Sequence, residues 1–274
     1  VEVAEPEIRV WTNVAEAHSE FFEPVEAIAD AKAEILEGST VETRLVVNAA
    51  DPRVMARVTK FPGKLTTFGI DVPADIRASE LRYLGLAGRE ATLETSAGLH
   101  TLRTALLGEG SVANILAAIA VALQFQLSLE AVLARVAAFE AQPRRGQVIR
   151  VGEITIVDDS YNSSPMALDR ALVTIGQAAG GVRRVVVLGE MLELGRHSEV
   201  LHRRCGRTVV LAGFDLLLVV GGAPVHMLAD AAIEAGLPVA SVFRFTTSDE
   251  AADRIGGLVR AGDVVLVKGS RGIE

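Results

Sequence analysis

Apolar and polar positions in the second half of the chain follow one repeating order, in which a short apolar run precedes a longer amphipathic segment. The apolar runs predict strands at 153–157, 183–188, 215–220, 240–243 and 263–267. Apolar residues at helical spacing predict helices at 165–178, 198–211, 225–235 and 248–260. Strands that alternate with helices of this length indicate an α/β fold with a mostly parallel, helix-covered sheet.

The first half predicts a second α/β region with more strand. Apolar runs favour strands at 8–11, 45–48 and 65–68, short β segments between 74 and 107, and helices at 52–59, 113–127 and 128–138. The polar, Pro- and Gly-containing segment 142–146 interrupts the pattern. We therefore predict two domains, 1–141 and 142–274.

Composition narrows the classes of function. A chain of 274 residues can bury two cores, and its longest uninterrupted apolar stretch, 115–123, is too short for a membrane helix. No basic, apolar leader is recognisable, so we expect a cytoplasmic protein without membrane insertion. The formal charge of −8 argues against nonspecific nucleic-acid binding, and the single cysteine, Cys205, excludes an internal disulfide or a cysteine-based zinc site.

A His and a Lys near the start suggest a polar site. His18 lies seven residues after the predicted strand 8–11, and Lys32 lies in a helical pattern that follows. Ligands of open α/β folds bind at the carboxyl edge of the sheet. Mg²⁺ prefers oxygen ligands, which a Lys carbamate formed with CO₂ would provide. The alternative is a strand-end His and a solvated helical Lys.

Three polar loops follow predicted strands of the second half. Asp158 and Asp159 end one strand and precede Tyr161 and a helix that starts at Pro165, a favoured first helical residue. The segments 187–195 and 267–272 follow two further strands. Parallel strands would bring all three loops to one edge, although each alone could be an ordinary strand-to-helix turn with helix capping.

These strings resemble the Mur ligases, ATP-dependent enzymes that join amino acids to the peptidoglycan precursor. The resemblance rests on Thr12-Asn13-Val14-x-Glu16-x-His18, on Ala31-Lys32-x-Glu34-Ile35 and on the three loops of the second half. It implies part of a P-loop-type central domain followed by a Rossmann-like C-terminal domain. It also implies that His18 binds Mg²⁺ and that Lys32 is carbamylated.

The second-half loops are most similar to the Mur ligases that add D-alanyl-D-alanine to a UDP-N-acetylmuramoyl-tripeptide. The resemblance assigns Asn114 to adenine, Arg145 to the ribose or a phosphate, and Asp159 to the ribose. It extends the nucleotide site to Tyr161 and Asn162. Residues expected on the acceptor side, or at an interface that closes over the substrates, are Glu190, Lys268, Ser270 and Arg271. The alternative for Asn114 and Arg145 is a helix cap and a solvated linker cation.

The chain also departs from the family pattern. It contains no Gly-x-x-x-x-Gly-Lys-(Ser/Thr), the loop that cradles ATP phosphates. Gly110 and Ser111 stand where the family usually has His and Asn, and 48–51 has one acidic residue where adjacent acids are usual. We therefore expect an internal portion of a longer ligase that does not ligate by itself.

Three alternatives stay open at this level. The chain could belong to another Mur ligase, to a ligase similar to folylpolyglutamate synthase, or to a catalytically inactive scaffold or binding module. The strings 158–162 and 190–195 favour the D-alanyl-D-alanine enzymes. Binding of ATP and of the tripeptide precursor would separate the enzymes from the scaffold.

Overall fold

Each half of the chain is built on a six-stranded sheet. The computed structural model describes residues 6–14 and 25–273, and their contacts divide them into one unit of residues 6–14 and 25–139 and another of residues 140–273. Within the described part of the chain, no helix is both long enough and apolar enough to span a membrane.

The sheet of the first unit has its strands in sequence order. The strands are β1 (Ile8–Trp11), β2 (Arg44–Asn48), β3 (Lys64–Ile70), β4 (Ile76–Tyr83), β5 (Arg89–Thr95) and β6 (Gly98–Thr104). Strands β1 to β4 are mutually parallel, whereas β4, β5 and β6 form antiparallel pairs. The helices are α1 (Val25–Ala33), α2 (Pro52–Arg57), α3 (Glu109–Gln124) and α4 (Leu129–Ala137).

Helices cover both faces of this sheet. On β2, Val46 points into a core with Leu116 and Ile119 of α3, while its neighbours Leu45 and Val47 point into a core with Ile28 of α1. Successive residues of a strand face opposite sides of the sheet, so a strand buried on both faces must be apolar throughout. This is why residues 45–47 form an uninterrupted apolar run.

Strands β3 and β4 are parallel although only residues 71–75 connect them. Parallel neighbours usually need a crossover of a dozen residues or more. Here the Asp75 carboxylate accepts hydrogen bonds from the Thr67 amide and hydroxyl over 2.7 and 2.8 Å, and the Asp75 amide donates to that hydroxyl over 2.9 Å. These bonds fix the tight return of the chain.

The sheet of the second unit is parallel except at one edge. Its strands are β7 (Gln147–Val151), β8 (Ile154–Asp158), β9 (Arg184–Gly189), β10 (Leu216–Val220), β11 (Val242–Phe245) and β12 (Val264–Lys268). Their order is β11-β10-β9-β12-β8-β7, and only β7 runs antiparallel to its neighbour. The helices are α5 (Pro165–Ala178), α6 (Ser198–Leu211), α7 (Ala223–Glu234) and α8 (Ser248–Ile255).

Helices α6 and α7 pack closely at a glycine. A Cβ atom on Gly206 would lie 2.1 Å from the Leu228 carbonyl oxygen, which is too short for two non-bonded atoms. Cys205 is buried beside it, and burial raises the pKa of its thiol. The cysteine therefore packs as a small apolar side chain rather than a reactive thiolate.

The predicted α/β class, with a mostly parallel second sheet, is confirmed. Several local expectations were wrong. Strand β7 was not predicted, and β11 spans Val242–Phe245 rather than 240–243. Helix α3 spans Glu109–Gln124 rather than 113–127, and α8 ends at Ile255 rather than at 260. Gly256 and Gly257 follow α8, and two glycines disfavour continuation of a helix.

Candidate active site

The carboxyl ends of four parallel strands bring polar loops to one edge of the second sheet. Strands β8, β12, β9 and β10 are neighbours in this order and run in the same direction. The loops that follow them therefore start at the same edge, which confirms the arrangement expected from the sequence. This edge is where open α/β sheets bind ligands.

A buried ammonium joins two of these loops. The Lys268 Nζ atom lies 2.6 Å from Asp159 Oδ2 and donates to the Asn162 carbonyl oxygen over 2.9 Å. Only 4% of Lys268 is exposed, whereas the Asp159 side chain keeps about a quarter of its surface exposed. Because a buried charge needs compensation, the pair fixes the ends of β8 and β12 relative to each other.

Glu190 binds the loop after the next strand. Its Oε2 atom accepts a hydrogen bond from the Gly222 amide over 2.9 Å, at the N-terminus of α7. A carboxylate is favoured there by the unpaired amides and by the helix dipole. This oxygen of Glu190 is therefore engaged within the unit rather than directed at a free substrate.

Two glycines allow β9 and β12 to approach each other at their ends. A Cβ atom on Gly189 would lie 3.1 Å from the Gly269 Cα, and the reverse substitution meets the same limit. Beyond this point the Ser270 hydroxyl donates to the Ser163 carbonyl oxygen over 3.3 Å and accepts from the Leu192 amide over 3.0 Å. Ser270 thus connects the loops after β8, β9 and β12.

His202, which was not predicted from the sequence, supports the loop after β9 from helix α6. His202 lies on α6, has no exposed surface, and accepts a hydrogen bond from the Met191 amide at Nε2 over 3.0 Å. Burial lowers the pKa of its imidazole, an effect that the Ser198 carbonyl and Glu190 oppose. A signal was present in the sequence, since His202 falls in register with Cys205, Gly206 and Val209 on the buried face of the helix.

The segment before β7 contributes a cation. The guanidinium of Arg145 stacks on the ring of Tyr161, 3.9 Å from its centroid, and the Tyr161 amide donates to the Arg144 carbonyl oxygen over 3.0 Å. Stacking uses the face of the guanidinium and leaves its edge for hydrogen bonds. Asp158, by contrast, accepts from the Ser160 hydroxyl over 2.6 Å, so the two adjacent acids have different partners.

The remaining residues predicted in the second unit differ in exposure. Arg271 is exposed on the loop after β12. The Asn162 side-chain oxygen accepts from the Ser163 amide over 2.8 Å. Tyr161 keeps 42% of its surface exposed. The edge therefore presents a stacked Arg–Tyr pair and an exposed Arg around a cluster organised by Lys268.

In the first unit, Lys32 lies near the end of β1. Its Nζ atom donates to the Asn13 carbonyl oxygen over 3.1 Å, and the side chain is exposed. The Asp51 carboxylate holds the same segment, since it accepts from the Val14 amide over 2.7 Å while capping α2. His18 lies outside the described residues.

Asn114 lies in the second turn of α3, where its side chain is exposed. It does not open the helix, as the sequence suggested, because the helix already begins at Glu109. A Cβ atom on the neighbouring Gly110 would meet nothing within 4 Å, so no steric need explains that glycine. The exposed amide of Asn114 has the donor and acceptor that an adenine edge requires.

The described residues contain no group of three or more His, Cys, Asp or Glu side chains placed to hold a metal ion. An unmodified Lys32 offers no oxygen and carries a positive charge, so it does not fit Mg²⁺. A carbamate on Lys32 would supply two oxygens and could keep its N–H directed at the Asn13 carbonyl. The fit to Mg²⁺ therefore depends on that modification and on residues beyond those described.

Comparisons with known proteins agree on one family. The sequence model of the Mur ligase middle domain matches residues 1–122, and that of the Mur ligase glutamate ligase domain matches residues 144–271. A UDP-N-acetylmuramoyl-tripeptide–D-alanyl-D-alanine ligase of Mycobacterium tuberculosis is 34% identical over 98% of this chain and 56% of its own length. The chain thus spans little more than half of that relative.

Solved structures show the same likeness. MurF from Acinetobacter baumannii superposes with a TM-score of 0.83 at 26% identity, over 98% of this chain and 58% of the other. MurF ligase from Thermotoga maritima, solved in complex with ADP, superposes with a TM-score of 0.82 at 25% identity, over 100% of this chain and 60% of the other.

Proposed function

Because this chain belongs to the Mur ligase family, we propose that the protein carrying it is an ATP-dependent ligase that adds D-alanyl-D-alanine to a UDP-N-acetylmuramoyl-tripeptide. The main support is the hydrogen-bonded cluster that Lys268 and Ser270 form among the loops after β8, β9 and β12. The likeness over nearly the whole chain to relatives named for this reaction adds to it.

The proposed reaction makes one amide bond. The terminal carboxylate of the tripeptide would take the γ-phosphoryl group of ATP, which gives an acyl phosphate and releases ADP. The amine of D-alanyl-D-alanine would then attack the carbonyl carbon, phosphate would leave, and the attacking nitrogen would lose a proton. Mg²⁺, when bound, would offset the charge on the phosphoryl group. The task of the chain is then to hold the reacting groups in line and to keep the site polar where charge develops.

For the nucleotide we propose residues that have open hydrogen-bonding edges, taken in each unit separately. Arg145, held on the Tyr161 ring, would meet a phosphate or the ribose with its guanidinium edge. Asp159 has one oxygen on Lys268 and would use the other for a ribose hydroxyl, beside Asn162. Asn114 would read the adenine.

On the acceptor side, we propose that one charged side chain binds the dipeptide and that hydrogen-bonded loops surround it. The exposed cation of Arg271 suits the carboxylate of the dipeptide. Ser270 and Glu190 would shape the loops around it, because both are already engaged in bonds between loops. Lys268 would act mainly by holding Asp159 and the Asn162 carbonyl.

His18 and a carbamylated Lys32 are proposed to hold Mg²⁺. A reaction that uses ATP and a UDP-linked substrate needs a compartment that contains both, so we propose that the protein acts in the cytoplasm.

The test is ADP release by the protein encoded by the complete gene. We expect release that depends on both the UDP-linked tripeptide and D-alanyl-D-alanine, with no release when a single amino acid replaces the dipeptide. Turnover with glutamate or a diamino acid instead would make the protein another Mur ligase or a folylpolyglutamate-synthase-like enzyme. Failure to bind ATP and the tripeptide would support the inactive scaffold, and binding of both without turnover would support a binding module.

A further inference from the structure

The loop after β9 is fixed by three consecutive backbone amides, each bonded to a different element. The Glu190 amide donates to the Val220 carbonyl oxygen at the end of β10 over 3.1 Å. The Met191 amide donates to His202 on α6, and the Leu192 amide donates to Ser270 beyond β12. Two of the acceptors belong to the sheet edge itself, whereas His202 reaches the loop from a helix.

The contacts of His202 define one tautomer. An amide can only donate, so the Nε2 atom that faces the Met191 N–H must carry a lone pair. The proton of a neutral ring is then on Nδ1, which lies 2.8 Å from the Ser198 carbonyl oxygen and can donate to it. Both ring nitrogens are thus used, and a doubly protonated ring would place an N–H against the Met191 N–H.

We infer that His202 is a positioning residue for the acceptor side of the site. His202 accepts the hydrogen bond of the Met191 amide and so fixes the backbone of Met191. The flanking residues Glu190 and Leu192 are then held in place as well, and the Leu192 amide can donate to Ser270. Met191 is itself only 1% exposed, so it is the imidazole rather than bulk water that satisfies this amide in the folded chain. The inference deepens the proposed function, since it concerns the loops assigned there to D-alanyl-D-alanine.

Two variants with a carboxamide side chain distinguish the hydrogen bond of His202 to Met191 from a contribution of packing alone. In His202→Gln the side-chain oxygen reaches the position of Nε2 and can accept from Met191. In His202→Asn the polar atoms reach only the position of Nδ1, towards Ser198. Both variants are uncharged at every pH used, so they differ chiefly in whether the Met191 amide keeps its acceptor.

The first measurement uses the 274-residue chain itself and needs no activity. We expect ring ¹⁵N shifts of a neutral His202 protonated at Nδ1, and a Met191 amide whose hydrogen exchange is unchanged in His202→Gln but at least about tenfold faster in His202→Asn. Circular dichroism and the exchange of β12 amides report whether either variant unfolds. A ring protonated at Nε2, or equal Met191 exchange in both folded variants, would overturn the inference.

The second measurement uses the complete ligase. We expect His202→Asn to raise KM for D-alanyl-D-alanine about tenfold while KM for ATP stays unchanged, and His202→Gln to restore the acceptor KM. Equal effects on both KM values, or no effect while Met191 exchange is faster, would refute the positioning role. If the wild-type enzyme does not ligate, the proposed function fails, and the exchange experiment still decides whether His202 holds the loop.

Discussion

The Lys268 ammonium lies 2.6 Å from the Asp159 carboxylate, although 109 residues separate these two side chains in the sequence. The contact arises because β12 is inserted between β8 and β9, so that the ends of β8 and β12 are adjacent. The same ammonium also bonds the Asn162 carbonyl oxygen. One side chain therefore organises the loop that the sequence assigned to the nucleotide.

Replacing Lys268 tests how much this contact contributes to the free energy of unfolding. Lys268→Met leaves Asp159 and the Asn162 carbonyl without their donor, and we expect the free energy of unfolding to fall by about 2 kcal/mol. Urea unfolding of the 274-residue chain measures it. The control is Arg244→Met, which breaks an ion pair to Asp230 of the same length on the surface, where a loss of at most about 0.5 kcal/mol is expected. Equal losses in the two variants would contradict the prediction.

Two glycines within helices should respond oppositely to alanine. Gly206→Ala would push a Cβ atom into the Leu228 carbonyl oxygen, so α6 and α7 must separate and stability should fall by about 2 kcal/mol or more. Gly110→Ala meets nothing within 4 Å and should be neutral or stabilise by up to about 1 kcal/mol, because alanine favours helix. Thermal unfolding of both variants gives the comparison; a stable Gly206→Ala chain would mean that the helices are not in contact there.

The stability of the second unit should depend on pH through His202. Burial lowers the pKa of the folded imidazole, whereas the unfolded one titrates near its usual value of about 6.5. As the pH falls, the imidazole is therefore protonated in the unfolded state at a higher pH than in the folded state. The stabilisation is fully present above about pH 6.5 and is lost as the pH falls towards the lower folded pKa.

Urea midpoints at pH 7.5 and pH 5 measure this loss. We expect the acid-induced fall in the midpoint to be smaller in His202→Gln than in the wild type, since glutamine does not titrate. Glu190, on the loop after β9, is the charged group that partly raises the pKa of His202, so Glu190→Gln should enlarge the fall. Identical pH dependence in the wild type and His202→Gln would exclude His202 as the cause.

Lys32 offers a test of the proposed metal site. In the complete enzyme, Lys32→Ala should abolish ligation, and a short carboxylic acid should restore part of it by replacing the carbamate oxygens. The control is Lys60→Ala, at an exposed lysine that follows α2 and has no assigned role. Full activity of Lys32→Ala without added acid would refute the carbamate.

Most elements of the second unit could be predicted closely because the strands other than β7 are short apolar runs flanked by polar or glycine residues. Helix α5 begins at Pro165, as the sequence indicated, and β9 and β10 lie within one residue of their predicted bounds. Strand β7 was missed because it is an edge strand with half-exposed positions next to a polar turn, so its alternation is weak. Edge strands need fewer apolar residues than central ones.

The candidate site was less accessible to sequence reasoning than the fold. Residue types and strand ends indicated Asp159, Glu190 and Lys268, and parallel pairing of the strands predicted that the three lie at one edge of the sheet. Their hydrogen-bond partners could not be predicted. The Glu190 bond to Gly222, for example, depends on the register of β9 against β10. His202 escaped notice since a histidine on an apolar helical face usually packs in the core without a role in a site.

The five-residue connection between β3 and β4 has a consequence for the folding of the first unit. Phe68 and Ile76 pair across it at a separation of eight residues, whereas Ile8 of β1 must find Arg44 of β2 across a much longer segment. Closing a short loop costs less chain entropy, and local pairings form faster. Residues 64–104, which also contain the two antiparallel hairpins, can therefore nucleate the sheet before β1 joins it.

We expect pulse-labelled amides of β3 to β6 to gain protection from exchange before those of β1. The first sheet would then assemble from its antiparallel side towards β1, the strand that leads to Asn13.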